Sequence, residues 1–224
     1  MDAKEIIARR VALELRDRSL VNLGIGLPTL VACYVPAGIS VAFQSENGII
    51  GFGEPPPEGM EDPHLTDAGG GFISALPGAA AFDSATSFAL IRGGHLDMTV
   101  LGGLQVDSSG RLANWMVPGK IVPGMGGAMD LVAGAKRVIV AMQHLAKGQP
   151  KIVESLTLPP TAARRVSLIV TELAVIEPTD DGLVLRERAP GVSVDAIVAS
   201  TGAKLMFDGD TPTMPIASPE RAAA

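Results

Sequence analysis

The sequence predicts an α/β fold in which helices are layered on a mainly parallel sheet. Three observations carry that prediction. Apolar runs of strand length alternate with helix-periodic segments through most of the chain, the order that a parallel sheet with crossover helices requires. Two of the strands run into glycines, at Gly24 and Gly26 and at Gly102-Gly103, where a chain leaving a buried strand must turn sharply. The 224 residues are 47% hydrophobic and 19% charged, with a mean hydropathy of +0.32, which is ample for one large core and more than a monomer of this size needs. The excess points to a buried subunit interface. Residues 1–208 are read as one domain, and 209–224, with Pro212, Pro215, Pro219 and an Ala-Ala-Ala end, as a flexible tail.

Each element has its own justification. Asp2 and Glu5 form a capping box, and Ile7, Val11 and Leu15 then recur at helical spacing beside Ala8 and Ala12. Residues 20–26 read as a strand ending in a glycine turn, and Pro28 suits the first turn of a helix through Tyr34. Residues 39–43 are a buried strand, whereas 54–63, with Pro55-Pro56-Pro57, cannot pair regularly and form an exposed loop. A short strand is expected at 72–76, a helix capped by Asp83 at 84–92, and a strand at 96–101. After a turn at 107–110 the chain is extended over 112–115, and the glycines of 124–127 open a helix through Ala133. A strand follows at 136–142. Beyond Lys151 come strands at 166–170 and 173–177, a hairpin turn at 180–182 with its partner at 183–186, a short helix at 193–201 and a last strand at 204–207.

Composition closes off several classes of function. A net charge of -6, a pI near 5.1 and the lack of any basic block argue against nucleic acid or an anionic membrane as partner. No apolar run reaches the roughly 18 residues of a membrane span, since 20–43 is broken by Asn22, Pro28 and Pro36. Cys33 is the only cysteine, which removes a disulfide framework and a cysteine-rich metal site. His64, His95 and His144 stand far apart without ligand spacing, so no metal is expected and each histidine is read as structural. Residues 1–5 lack the apolar stretch of a secretory signal, and cytoplasmic residence is the expectation.

The chemistry narrows in the same way. There is no G-x-S-x-G elbow and no Walker A sequence, and Cys33 falls within an apolar helix where a buried thiol is inert. Thr29 replaces the third glycine of the dinucleotide fingerprint, which argues against a nicotinamide or flavin site. What remains is Glu46, at the exit of a buried strand and followed by Asn47-Gly48, where open α/β sheets display reactive groups. Most glutamates at strand ends are solvated charges or helix caps, so this stretch alone does not single it out. As a nucleophile, a carboxylate accepts an acyl group to form an anhydride, and a thiolate converts the anhydride to a thioester. Each step passes through an oxyanion, and losing one preorganised donor to it costs on the order of 3 kcal/mol, so the donors should be fixed. Asn22 and the glycine turns meet that need. Gly126 and Gly127 suit either close approach to a ligand or tight helix packing, and Lys147 either a phosphate or solvent.

Five segments occur in order: residues 22–28 (Asn-Leu-Gly-Ile-Gly-Leu-Pro), Ser45-Glu46-Asn47-Gly48, Gly93-Gly94-His95-Leu96-Asp97, residues 114–120 (Asn-Trp-Met-Val-Pro-Gly-Lys), and residues 124–131 (Gly-Met-Gly-Gly-Ala-Met-Asp-Leu). Together they resemble the B (β) subunit of the family I 3-oxoacid CoA-transferases, over about residues 1–205. The resemblance implies a three-layer α/β/α fold with a mainly parallel open sheet, of the CoA-transferase β-subunit type. It implies ping-pong exchange of coenzyme A, a substrate rather than a bound cofactor, between succinyl-CoA or acetyl-CoA and a short 3-oxoacid, acetoacetate foremost. Glu46 would carry CoA as a glutamyl thioester, Asn22 would donate to one oxyanion and the Gly127 N–H to another. Gly24, Gly26, Gly126 and Lys147 would contact CoA. Gln143 departs from the family, many members having Glu there. A CoA-transferase A (α) subunit of similar size and fold would complete the site, and no metal is implied. Hydrolysis of acyl-CoA, and a non-catalytic subunit that binds a small acid, remain the alternatives.

Overall fold

The structure is a computed structural model that describes residues 1–119 and 126–217. The first helix, α1 (Ala3–Ala12), starts where the Asp2 carboxylate accepts the Glu5 N–H at 2.8 Å, and it buries Ile7, Ala8 and Val11 on one side. A ten-stranded sheet follows: β1 (Ser19–Leu23), β2 (Val41–Ser45), β3 (Ile49–Phe52), β4 (Ala75–Ala81), β5 (Met98–Leu101), β6 (Arg137–Ala141), β7 (Leu168–Val170), β8 (Ala174–Pro178), β9 (Leu183–Arg188) and β10 (Leu205–Met206). Their order across the sheet is β10-β9-β8-β7-β6-β5-β1-β2-β3-β4. The central strands β7, β6, β5, β1 and β2 are all parallel. Antiparallel strands flank them, β3 and β4 on one side and β8 and β9 on the other.

Helices cover both faces of the sheet. On one face α1 and a 3-10 helix (Leu27–Tyr34) pack Ile7, Val11 and Val31 against Ile139 and Val170. On the other, α2 (Ser84–Arg92), α3 (Ala128–Gly134) and α4 (Val194–Ser200) pack Ile91, Leu131 and Ile197 with Val138, Val140 and Ile169. Consecutive residues of β6 thus enter opposite cores, which is why its apolar run is continuous rather than alternating. The architecture is the expected three-layer α/β/α with a mainly parallel sheet. Arg10 locks the first layer to the antiparallel flank of the sheet: 5% exposed, it holds Glu187 of β9 bidentately at 2.6 and 2.8 Å and Glu14 at 2.7 Å. No helix among the described residues is long and apolar enough to cross a membrane.

Several local expectations change. The helix after Pro28 is 3-10 rather than α, and it leaves Cys33 half-buried instead of buried. The strand expected at 72–76 runs instead over 75–81, where Ala-Leu-Pro-Gly-Ala-Ala-Ala has no apolar period, and its pairing with β3 sets its position. The expected flexible tail is docked in part: the Met214 N–H donates to the Arg188 carbonyl at 2.8 Å, and Met214 and Ala217 are buried. Residues 218–224 lie outside the described residues, as do Lys120, Gly124 and Met125 of the two later motifs.

Candidate active site

Glu46 lies one residue past β2, at the carboxyl end of the parallel strands. The turn that presents it closes with the Gly48 N–H donating to the Ser45 carbonyl at 3.0 Å, and Gly48 adopts φ +122°. Only glycine serves there, because a Cβ would lie 2.0 Å from the Phe82 carbonyl oxygen. The Glu46 side chain is half-buried beneath the start of α3, and its Oε1 accepts the Gly127 backbone N–H at 3.0 Å. A Cβ on Gly127 would stand 2.8 Å from the carboxylate carbon, so the absent side chain is what admits the carboxylate. Gly126, at φ +52°, supplies the left-handed step before it.

Burial pushes the Glu46 carboxyl above its ordinary value; the Gly127 N–H pulls it back, the charge of Asp130 adds to the rise, and the net is upward. Asp130 sits in the first turn of α3 and is held by Arg92 of α2 at 2.7 Å. α2 and α3 meet closely at Gly134, where a Cβ would fall 2.1 Å from the Ile91 carbonyl oxygen. Arg164 closes the other end of α3, donating to the carbonyls of Val132, Ala133, Ala135 and Lys136. The Gly127 donor is therefore mounted on a short helix fixed at both ends.

The residues named from the sequence fall into three groups. Glu46, Gly126 and Gly127 come together. Gly24 and Gly26 follow β1, one strand away: the Gly24 N–H donates to Val100 O at 2.8 Å, and Gly26, at φ +86°, starts the 3-10 helix. Lys147 is exposed at the tip of the 145–150 hairpin with φ +50°.

Asn22 is hydrogen-bonded within the sheet. It is 1% exposed, and its Nδ2 donates to both the Gln44 carbonyl, at 3.2 Å, and Gln44 Oε1, at 2.9 Å, while its Oδ1 accepts from Thr99 at 3.1 Å. Gln44 in turn donates to Ser87 of α2 at 2.9 Å. A buried amide must satisfy its hydrogen bonds, and the register that pairs Asn22 with Gln44 supplies partners inside the sheet. His144 is likewise occupied, between Thr171 and Thr201 at 2.9 and 3.0 Å, and burial lowers it to about 4.

The sequence reading missed the loop at 65–72. Its Ala68 N–H donates to Ser45 Oγ at 2.9 Å, and the Asn47 side chain donates to Thr66 O at 2.7 Å, so the loop grips both neighbours of Glu46. Asp67 builds it by accepting the N–H groups of Gly69 and Gly71, each at 2.8 Å. The run Asp67-Ala68-Gly69-Gly70-Gly71 is the detectable signal, an aspartate followed by glycines being the pattern of a side-chain-closed turn.

A carboxylate under a backbone donor, at the carboxyl edge of an α/β/α sheet, has the parts that acyl chemistry needs. The Coenzyme A transferase family matches residues 4–200, and the chain belongs to that family. It is 56% identical over 214 residues to the beta subunit of the acetate CoA-transferase of Escherichia coli K12, covering 95% of this chain and 98% of that one. It is 50% identical over 202 residues to the B subunit of the succinyl-CoA:3-ketoacid coenzyme A transferase of Helicobacter pylori, covering 90% and 97%. A crystal structure of an acyl-CoA transferase from Escherichia coli O157:H7 shares the fold, with a TM-score of 0.77 at 23% identity over 96% of this chain and 43% of that one.

Proposed function

We propose that the chain is the B subunit of a CoA-transferase that passes CoA between an acyl-CoA, succinyl-CoA or acetyl-CoA, and a short acid such as acetoacetate, through a thioester on Glu46. The observation that carries this is the 3.0 Å hydrogen bond from the Gly127 N–H to Glu46 Oε1. The other oxygen, Oε2, attacks the acyl-CoA carbonyl and CoA leaves as a thiolate, giving a mixed anhydride. The thiolate then attacks the Glu46 carbonyl, releasing the donor acid as its carboxylate and leaving glutamyl-CoA. In that attack negative charge grows on Oε1, which the Gly127 N–H already faces, so the donor need not reorganise. The acceptor acid reverses both steps, and the new acyl-CoA departs with Glu46 restored. Partial burial supports the role, since a poorly solvated carboxylate is a better nucleophile than a hydrated one. Asn22 contributes by anchoring Gln44, two residues before Glu46; direct donation to an oxyanion requires its release from Gln44.

A companion A subunit is part of this proposal. Ile25, Met60, Phe72 and Leu76 are exposed large apolar residues on β4 and on the loops after β1 and β3, and β4 is an uncharged sheet edge. The relatives at 56% and 50% identity are themselves named as beta and B subunits, which supports a companion subunit here. The test is chemical trapping: the reconstituted pair is incubated with acetoacetyl-CoA, reduced with borohydride and analysed by peptide mass spectrometry. Loss of the Glu46 carboxyl is expected, and an intact Glu46 during sustained turnover overturns the covalent route.

A further inference from the structure

We propose that Lys151 is an anion-binding residue of the substrate site, taking an anionic oxygen of the acyl-CoA, and that a cleft at the carboxyl edge of the sheet leads to it. This rests on the transferase reading above. The cleft, of about 210 Å³, opens past the ends of β1, β5 and β6. Ile25, Leu27, Pro28 and Met142 form its apolar side, and Gln143, Lys151 and Lys4, at the start of α1, its polar side. Gly103 lets the chain lie directly on the core at the cleft floor, since a Cβ there would press to 2.7 Å from the Met142 sulfur and 2.8 Å from Val140 Cγ1.

Lys151 is placed rather than merely present. Its N–H donates to the His144 carbonyl at 3.0 Å and its carbonyl accepts the Val106 N–H at 2.9 Å, so both sides of its backbone are pinned. The side chain is half-buried, yet its ammonium makes no hydrogen bond or ion pair among the described residues. Glu172 is the carboxylate whose charge it feels, but Glu172 Oε2 already accepts the His144 N–H at 2.9 Å. Burial therefore lowers the lysine, and the opposing charge offsets this only in part. An incompletely solvated cation without a partner is unfavourable alone and becomes favourable once an anion meets it.

Two sources of an anionic oxygen exist in the proposed reaction, a phosphate of CoA and the distal carboxylate of a dicarboxylic acid. β6 lies three strands from β2, which places its end on the order of 14 Å from the Glu46 turn. A pantetheine arm, comparable in backbone length to about four extended residues, also spans on the order of 14 Å, whereas a succinyl carboxylate reaches much less far. The distance favours the phosphate.

Steady-state kinetics of the reconstituted pair test this with Lys151→Met and Lys151→Arg. For Lys151→Met the KM for acetyl-CoA is expected to rise roughly tenfold or more, the worth of one charge-assisted hydrogen bond, with kcat within about twofold. The KM for acetyl-pantetheine, which lacks the phosphates, stays unchanged, and Lys151→Arg restores most of the affinity. A rise confined to succinate, with acetate unaffected, keeps Lys151 as an anion site but assigns it to the acid. Equal effects on acetyl-CoA, acetyl-pantetheine and both acids, or none at all, overturn the proposal. Equilibrium binding of CoA, pantetheine and succinate to the same proteins reads Lys151 without turnover: weakened binding of CoA but not of pantetheine sustains the phosphate assignment even if the wild-type pair transfers nothing, and unchanged binding of both CoA and succinate overturns the proposal.

Discussion

Two carboxylates of this molecule are withdrawn from water and treated in opposite ways. Asp107 is 1% exposed; its Oδ1 accepts from Ser109 N, Ser109 Oγ and Arg111 N, and its Oδ2 from the Arg111 guanidinium. Burial pushes it up, but those donors outweigh burial and hold it below its ordinary value. Glu46 has one backbone donor and a like charge nearby, and burial prevails. Burial alone therefore does not mark a reactive carboxylate. The number of donors does, because a carboxylate saturated with hydrogen bonds has neither a free oxygen nor a reason to react.

The comparison breaks most readily at its reactive end. Glu46→Gln is expected to lower CoA exchange on the order of 10⁴-fold or more, as removal of a nucleophile does. Its stability should move the other way. The folded carboxyl is raised, so the stability it supports is greatest where it is protonated and declines as pH rises through the folded pKa. At pH 7 the amide should melt no lower than wild type, and a drop of several degrees would mean that Glu46 is satisfied as Asp107 is. Gly127→Ala should follow, with kcat reduced on the order of 10² to 10³-fold, since the new methyl collides with the carboxylate and displaces the donor. Retention of normal kcat would remove that N–H from the mechanism.

Asn22→Ala is expected to slow exchange less than Gly127→Ala does, because the strand that carries Glu46 loses an anchor rather than the oxyanion a donor, and to cost about 2 kcal/mol in urea unfolding because Gln44 and Thr99 lose their partner. Slowed exchange at full stability would instead mark Asn22 as a direct donor. The smallest effect on activity belongs to Asp107→Asn, with turnover unchanged and stability reduced by about 2 kcal/mol at pH 7. Its folded carboxyl is lowered, so its contribution is present above the unfolded pKa and fades as pH falls through the folded one. The wild-type protein and the Asp107→Asn variant should therefore converge in stability on acidification.

Much of this was legible in the residues alone, and the exceptions share a cause. The caps at Asp2, Asp83 and Ser193 and the central strands follow from short-range patterns of apolar residues and side-chain oxygens. Glu46 was legible from its place after a buried strand, and its pairing with Gly127, 81 residues away, from the family resemblance rather than from spacing. The hydrogen-bond partners of Asn22 were not, because they depend on the register that sets Gln44 and Thr99 on either side of it. β4 escaped for the same reason: its alanines carry no period, and only the neighbouring strand tells them where to pair. The docked segment at 211–217 depends on Arg188, another distant partner.

The loop at 65–72 grips Ser45 and Asn47 but leaves the Glu46 side chain itself free of the loop. Both flanking residues being tethered, the main chain at 46 acts as a stationary hinge post. Whatever travel the proposed acyl and thioester stages demand must come from rotation about the few side-chain bonds of one glutamate, a swinging gate a few ångströms long. An aspartate in its place would have the right charge on too short a gate, and the carboxylate would fall short of the Gly127 N–H that it now meets at 3.0 Å.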